Sequence, residues 1–223
     1  MTFEKCTFFN CDFGITVGVG GQVLLLDCVF TNCGTGLSVV NGGRVIAKHC
    51  DFLGCQRGAR IGGRHSSGEF FHCSFLDNCH DGITATDGAT LLADGCRVAD
   101  CDGIGIIFEG PKRIFGRVTN TAVTKCNKSA VYIRDGKIDV VLQSCKFTEN
   151  KNGLITQWNV VGYVDLNGCV FFEVCDGGQG TMERSPVCGD RGLCLAALPV
   201  TPSDKKRYPG EPFHTEFGRT APL

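Results

Sequence analysis

Cys6-Thr7-Phe8-Phe9-Asn10-Cys11-Asp12-Phe13-Gly14-Ile15 is the stretch whose reading decides the fold. It returns as Cys28-Val29-Phe30-Thr31-Asn32-Cys33-Gly34-Thr35-Gly36-Leu37, and again from Cys50. The leading cysteine recurs at Cys6, Cys28, Cys50, Cys73, Cys96, Cys145 and Cys169, with Thr121 in the one gap. Successive steps are 22, 22, 23, 23, 25, 24 and 24 residues. A second column follows each of these by five or six residues: Cys11, Cys33, Cys55, Cys79, Cys101, Cys126 and Cys175, with Asn150 once.

Other columns keep the same period. Two residues after the first come Phe8, Phe30, Phe52, Phe75, Val98, Val123, Phe147 and Phe171. Three before the next rung come Leu25, Ala47, Phe70, Ala93, Val118, Leu142 and Leu166. Gly14, Gly36, Gly58, Gly82, Gly153 and Gly178 follow the second column, with Ser129 substituting once. Apolar residues two apart carry the strand period, and glycine is expected to supply the backbone conformations of sharp corners. A repeat this short, with no 10–12-residue helical pattern, is a coil of parallel strands. The expected fold is all-β: a single-stranded right-handed parallel β-helix of about eight rungs of 22–25 residues. At ~4.8 Å per rung the stack is roughly 35–40 Å tall. The rungs run from Cys6 to about Gly178 in this reading, residues 1–195 form the β-helix domain, and residues 196–223 form a Pro-rich, charged C-terminal tail.

The 223 residues include 31 Gly and 16 Cys, and 22 basic residues balance 23 acidic ones. That balance argues against a nucleic-acid or membrane-surface binder, which needs a basic excess. No apolar run approaches the ~18–20 residues of a membrane span. The start, Met1 to Cys6, lacks the basic-then-apolar pattern of a secretory signal. A reducing, intracellular setting is the expectation, with the column cysteines as stacked small apolar thiols. Disulfides between rungs are the alternative, since ~4.8 Å between Cα atoms lies within the allowed range.

The repeat Cys-x-Phe-x-x-Cys-x-x-Gly-[Ile/Leu] resembles the pectin-lyase-like β-helix superfamily, many of whose members carry Asn where this chain carries Cys. The Cys-rich form is similar to the large early-region-1B protein family of adenoviruses. Met182 followed by Cys188-Gly189-Asp190-Arg191-Gly192-Leu193-Cys194 is similar to a stretch of that family. The resemblance implies a non-enzymatic role as a protein-binding adaptor in a host cell, or as a trimeric capsid component, located in host cytoplasm, nucleus or virion. It carries over no functional residue.

Five residues precede Cys6, too few for a capping helix. The expectation is a fragment, a chain stacked on a partner, or a start from a misassigned codon. Lys205-Lys206-Arg207 is read as a solvated tail with a nuclear address as the alternative.

Candidate sites were sought as side chains sharing one column. Asp77 and Asp100 each precede a second-column position, and His80, Asp81 and Asp102 follow on the same corners. Carboxylates stacked about 5 Å apart raise one another's pKa or hold a divalent cation. Asp77, His80, Asp100 and Asp102 are therefore the candidate binding residues, set against the plainer reading of a solvated acidic turn. Asp27, His49 and His72 share a second column, with imidazoles suited to a transition metal but no fourth group in register. Cys169, Cys175, Cys188 and Cys194 are a candidate tetrahedral zinc set, but their spacing is not that of the usual knuckle, Cys169 and Cys175 already fit the ladder, and a Cys188–Cys194 pair closing a terminal loop is the alternative. No catalytic residue, metal or cofactor is assigned.

Two outward columns are apolar: Leu24, Ile46, Glu69, Leu92, Arg117, Val141, and Phe9, Thr31, Leu53, Leu76, Ala99, Thr124, Thr148, Phe172. Apolar stripes on a surface mark interfaces. The expected function is a non-catalytic structural or protein-binding solenoid that meets a protein partner or its own copies, a trimer among the expected assemblies. The alternative is a carbohydrate-active or carbohydrate-binding coil, a polysaccharide lyase or glycoside hydrolase, using the acidic corner. A lyase gathers carboxylates and a base on its long face, where this chain offers Thr16, Ser38, Arg60, Thr84 and Tyr132.

Overall fold

A computed structural model describes residues 1–78, 80–156 and 160–173. Each of the first seven turns contributes one strand to each of three parallel sheets, the eighth adds a strand to two of them, and no helix occurs among the described residues. The first sheet has eight strands, from Thr2–Glu4 through Gln22–Leu26, Arg44–Lys48, Ser67–Phe71, Thr90–Asp94, Ile114–Thr119 and Gly136–Gln143 to Val160–Asp165. The second also has eight, mostly three residues long, from Thr7–Phe9 to Val170–Glu173. The third has seven, from Phe13–Val17 to Asn152–Thr156. This is the expected right-handed parallel β-helix.

The interior is built of like on like. Phe8, Phe30, Phe52 and Phe75 stack with ring centroids 4.7, 4.7 and 4.6 Å apart and planes within 10°. Val98, Val123 and Phe147 continue the row, all buried. Phe70 lies edge-on to Phe75 at 5.4 Å, in the column where Ala47 and Ala93 flank it. The small neighbours leave the volume that the ring fills, which is how a close-packed interior accommodates an outsized member.

Gly20, Gly42, Gly63, Gly88 and Gly136 take the positive φ expected of corner glycines, but the glycines that follow the second column do a different job. A Cβ on Gly36 would lie 2.7 Å from Phe52 Cδ1, and one on Gly58 would lie 2.6 Å from Phe75 Cδ1 and 2.6 Å from the Gly82 carbonyl. These glycines keep ordinary negative φ; they clear space for the ring row one turn on. The column corners are turned by the residues just before each column position, Gly54, Gly95 and Gly168 among them. The residue before each column position has φ between about 51° and 65° in successive turns, as in Asp27, His49 and His72 at the first corner and Asn32, Asp77 and Asp100 at the second. Asn, Asp and His tolerate this left-handed conformation best after glycine.

The register also corrects two column assignments. Asn78, not Cys79, occupies the second column: Asp102 N donates to Asn78 O as Gln56 N donates to Cys33 O. Ala130, not Ser129, stands where Gly105 and Gly82 stand, since Gly105 faces the Ala130 carbonyl as Gly82 faces that of Gly105. The distance between the two columns is thus five residues in each described turn.

Candidate functional site

The acidic corner follows from backbone geometry. Asp77 and Asp100 lie one turn apart, next to the paired residues Leu76 and Ala99, with φ of 55° and 56°. Both are exposed, as are His80 and Asp102. Asp102 Oδ1 accepts from Asn127 Nδ2 at 3.0 Å on the next turn, away from the Asp77–Asp100 edge. Asp81 Oδ1 accepts from the Ile104 amide at 3.1 Å and so holds the corner itself. Asp77 and Asp100 thus share an edge, whereas Asp102 and Asp81 bond to local partners. Among the described residues no group of three or more His, Cys, Asp or Glu side chains is placed to hold a metal ion.

His49 and His72 stack at the first corner, with ring centroids 5.4 Å apart and planes 10° apart. Of the four widely spaced cysteines, Cys169 is half-buried and donates to the Leu142 carbonyl at 3.2 Å. Cys175, Cys188 and Cys194 lie outside the described residues, as do Cys79 and the tail at 196–223.

The column thiols are backbone caps. Cys28 donates to the carbonyls of Leu26 at 3.4 Å and Phe3 at 3.5 Å, and Cys96 to those of Phe70 and Asp94 at 3.4 and 3.6 Å. The left-handed residue leaves the preceding carbonyl turned toward the corner, and the thiol is the donor that reaches it. The exceptions in the columns instead each accept from a backbone amide one turn back. Asn150 Oδ1 accepts from Cys126 N at 3.0 Å while its Nδ2 donates to Val123 O at 2.9 Å. Thr121 Oγ1 accepts from Cys96 N and donates to Thr119 O. Asn78 Oδ1 accepts from Cys55 N at 3.2 Å.

The twelve described cysteines are reduced thiols. The hydrogen bond with Cys73, followed by burial, pushes the Cys50 thiol well above its ordinary value. At Cys73 the bond from Cys50 pulls down, but the bond toward Cys96 and burial outweigh it and the thiol is raised to about 12. Cys101 and Cys169 are raised by the thiol one turn away and by burial. Cys96, Cys126 and Cys145 are lowered by the same thiol–thiol hydrogen bonds, so the shifts run in opposite directions within these bonded pairs.

The outer faces carry the remaining chemistry. A recess of about 210 Å³ opens beside the third sheet, lined by Arg60, Thr86, Asp87, Glu109 and Arg134 among others. Arg134 is engaged with Glu109 at 2.5 Å and Asp135 at 3.3 Å.

On the first sheet the alternation is clean. Val45, Ala47, Leu91 and Ala93 point inward and are buried. Ile46 and Arg117 are exposed, and Leu24, Glu69, Leu92 and Val141 are half-buried, in one outward column paired residue for residue. The inside-outside phase expected for this stripe is the observed one. On the second sheet Phe9 is exposed, but Ala99 and Thr148 are buried, so that stripe is broken. Burial between Ile46 and Leu92, opposed by Arg44, raises the Glu69 carboxyl above the usual carboxylate range.

Three parallel sheets wound into one coil, with an interior of stacked rings and thiols, define a β-helix. The chain belongs to the family described as the right-handed beta helix region, whose model matches residues 1–171. No curated protein matches it. Two solved structures similar to it are trypsin-treated forms of QnrB1, a plasmid-mediated fluoroquinolone resistance protein. One has 13% identity and a TM-score of 0.30, covering 72% of this chain and 92% of that one. The other has 17% identity and a TM-score of 0.27, covering 76% and 83%.

Proposed function

We propose that this chain is a non-catalytic β-helix that binds protein, its own copies included, through the outer face of the first sheet. The observation that carries the reading is the outward column Leu24, Ile46, Glu69, Leu92, Arg117, Val141. It sets Leu24, Ile46, Leu92 and Val141 partly exposed on a regular parallel sheet, with Glu69 and Arg117 between them. An apolar surface of this kind gains free energy when a partner covers it. The free, backbone-bonded thiols support work in a reducing compartment. The similarity of the cysteine repeat to the large early-region-1B protein family of adenoviruses supports the narrower reading of a viral adaptor or assembly protein, placed in host cytoplasm, nucleus or virion.

The test is solution mass by light scattering under reducing conditions, on the wild-type chain and on Ile46→Asp/Leu92→Asp. A discrete oligomer that the double variant dissociates supports the reading. Equal masses for the two chains overturn it.

A second reading, a carbohydrate-active or carbohydrate-binding coil, is favoured by one observation: Asp77 and Asp100 stand exposed on one edge a turn apart. Under it, Asp77→Ala/Asp100→Ala abolishes glycan binding or turnover and leaves the solution mass unchanged.

A further inference from the structure

We infer that the partner of the first sheet is a second copy of the chain, related by a two-fold axis that runs parallel to the strands and passes over Leu92. The inference rests on the proposed function and specifies its register.

Along the central outward column the order of side chains is symmetric about Leu92, apolar against apolar and acid against base. In the central column the pairing places Ile46, Glu69, Leu92, Arg117 and Val141 on five successive turns. Read from Leu92, the next residue is Glu69 in one direction and Arg117 in the other. The residue after that is Ile46 in one direction and Val141 in the other. A two-fold axis along the strands reverses the order of turns and keeps each column opposite itself. Glu69 then meets Arg117 twice in the pair, Ile46 meets Val141 twice, and Leu92 meets its own copy. In the neighbouring column Arg44, Ser67, Thr90, Phe115 and Asp139 occupy the same turns. The same operation sets Arg44 against Asp139 and centres on Thr90. Such an isologous contact is the commonest way for identical chains to close, and sheets packed face to face lie about 10 Å apart.

Within one chain these charges are only partly compensated, Glu69 by Arg44 and Arg117 by Asp94. Glu69 and Arg117 lie two turns apart, about 10 Å, and neither makes a salt bridge among the described residues. Glu69 instead sits in a partly desolvated place that Arg44 relieves only in part. A second copy brings a guanidinium to that carboxylate. Asp139 already pairs with Arg113, so its contribution is shared. In the third column, Lys48, Phe71, Asp94, Thr119 and Gln143, the operation places Asp94 near its own copy. Thr119 and Asn120 donate to that carboxylate at 2.5 and 2.9 Å. This like-charge contact opposes the pair, so Asp94→Asn tightens it.

The experiment is sedimentation equilibrium on the full chain under reducing conditions. It compares wild type, Glu69→Arg, Arg117→Glu, an equimolar mixture of those two, and Ile46→Asp/Leu92→Asp. The wild type is expected to dimerise. Each single reversal weakens the dimer at least tenfold, because it sets like charges together twice. The mixture restores it, because both contacts in the mixed pair regain opposite charges. Circular dichroism checks that each variant folds, and Glu69→Gln with Arg117→Gln replaces a reversal that does not, each expected to weaken the dimer. Restoration in the mixture supports the register. A mixture as weak as its components overturns it, as does a wild-type trimer. Dissociation by Ile46→Asp/Leu92→Asp without sensitivity to either reversal overturns the register and leaves the proposed function standing. A wild-type monomer at every concentration overturns both.

Discussion

The inside and the outside of the first sheet are written in different ways. Inward, one turn repeats the next: Leu25, Ala47, Phe70, Ala93, Val118 and Leu142 are all apolar and all buried. Outward, on the alternate residues of the same strands, an isoleucine is followed by a glutamate, a leucine and an arginine. The inward rule comes from the fold, since each interior residue must fill the space left by the residues one turn above and below. The outward order is under no such constraint from the chain's own packing. It is therefore where information about a partner can be held, and the two surfaces should respond differently to substitution.

The sharpest break in that comparison is on the inside. Phe52→Ala removes the centre of the ring row and is expected to cost about 3–5 kcal/mol, read from chemical denaturation. Gly58→Ala drives a Cβ against Phe75 and the Gly82 carbonyl and is expected to cost about 3 kcal/mol. Asn150→Ala orphans the buried Cys126 amide and Val123 carbonyl, at about 2 kcal/mol. On the outside, Ile46→Asp/Leu92→Asp should shift stability by about 0.5 kcal/mol or less per site, while removing self-association.

The smallest effect sharpens the picture of Glu69. Its carboxyl is raised in the folded chain. The folded state therefore keeps this proton to higher pH than the unfolded state does. The stability it lends is present at low pH and lost as pH rises through the raised value. Glu69→Gln should flatten that slope and slightly stabilise the chain at neutral pH. The check is a melting series across pH at a dilution that separates the copies.

The interior was legible in the sequence because its columns repeat a residue type at a fixed period. Phe8 to Phe75 and the cysteines state the coil before any coordinates do. The misread positions were those where a second residue of the right type sat one place away. Cys79 drew the eye from Asn78, and Ser129 from Ala130, because spacing alone does not fix register; the backbone hydrogen bonds do. The role of Gly36 and Gly58 was misread for another reason. Clearance from a ring one turn on is a long-range contact, and composition cannot distinguish it from a need for positive φ. Asp77 and Asp100 were legible as a shared edge, but their left-handed backbone was not, and it accounts for Asp at a corner without any ligand. The outward stripe was legible through strand alternation. The charge symmetry about Leu92 emerges only when the turns are set in register.

The most direct test of the account is the solution mass of the reduced wild-type chain beside that of Ile46→Asp/Leu92→Asp. The account expects twice the 23.9 kDa chain mass for the wild type and one chain mass for the variant, with the same circular dichroism. A wild-type monomer, or an oligomer that the variant retains, would contradict it.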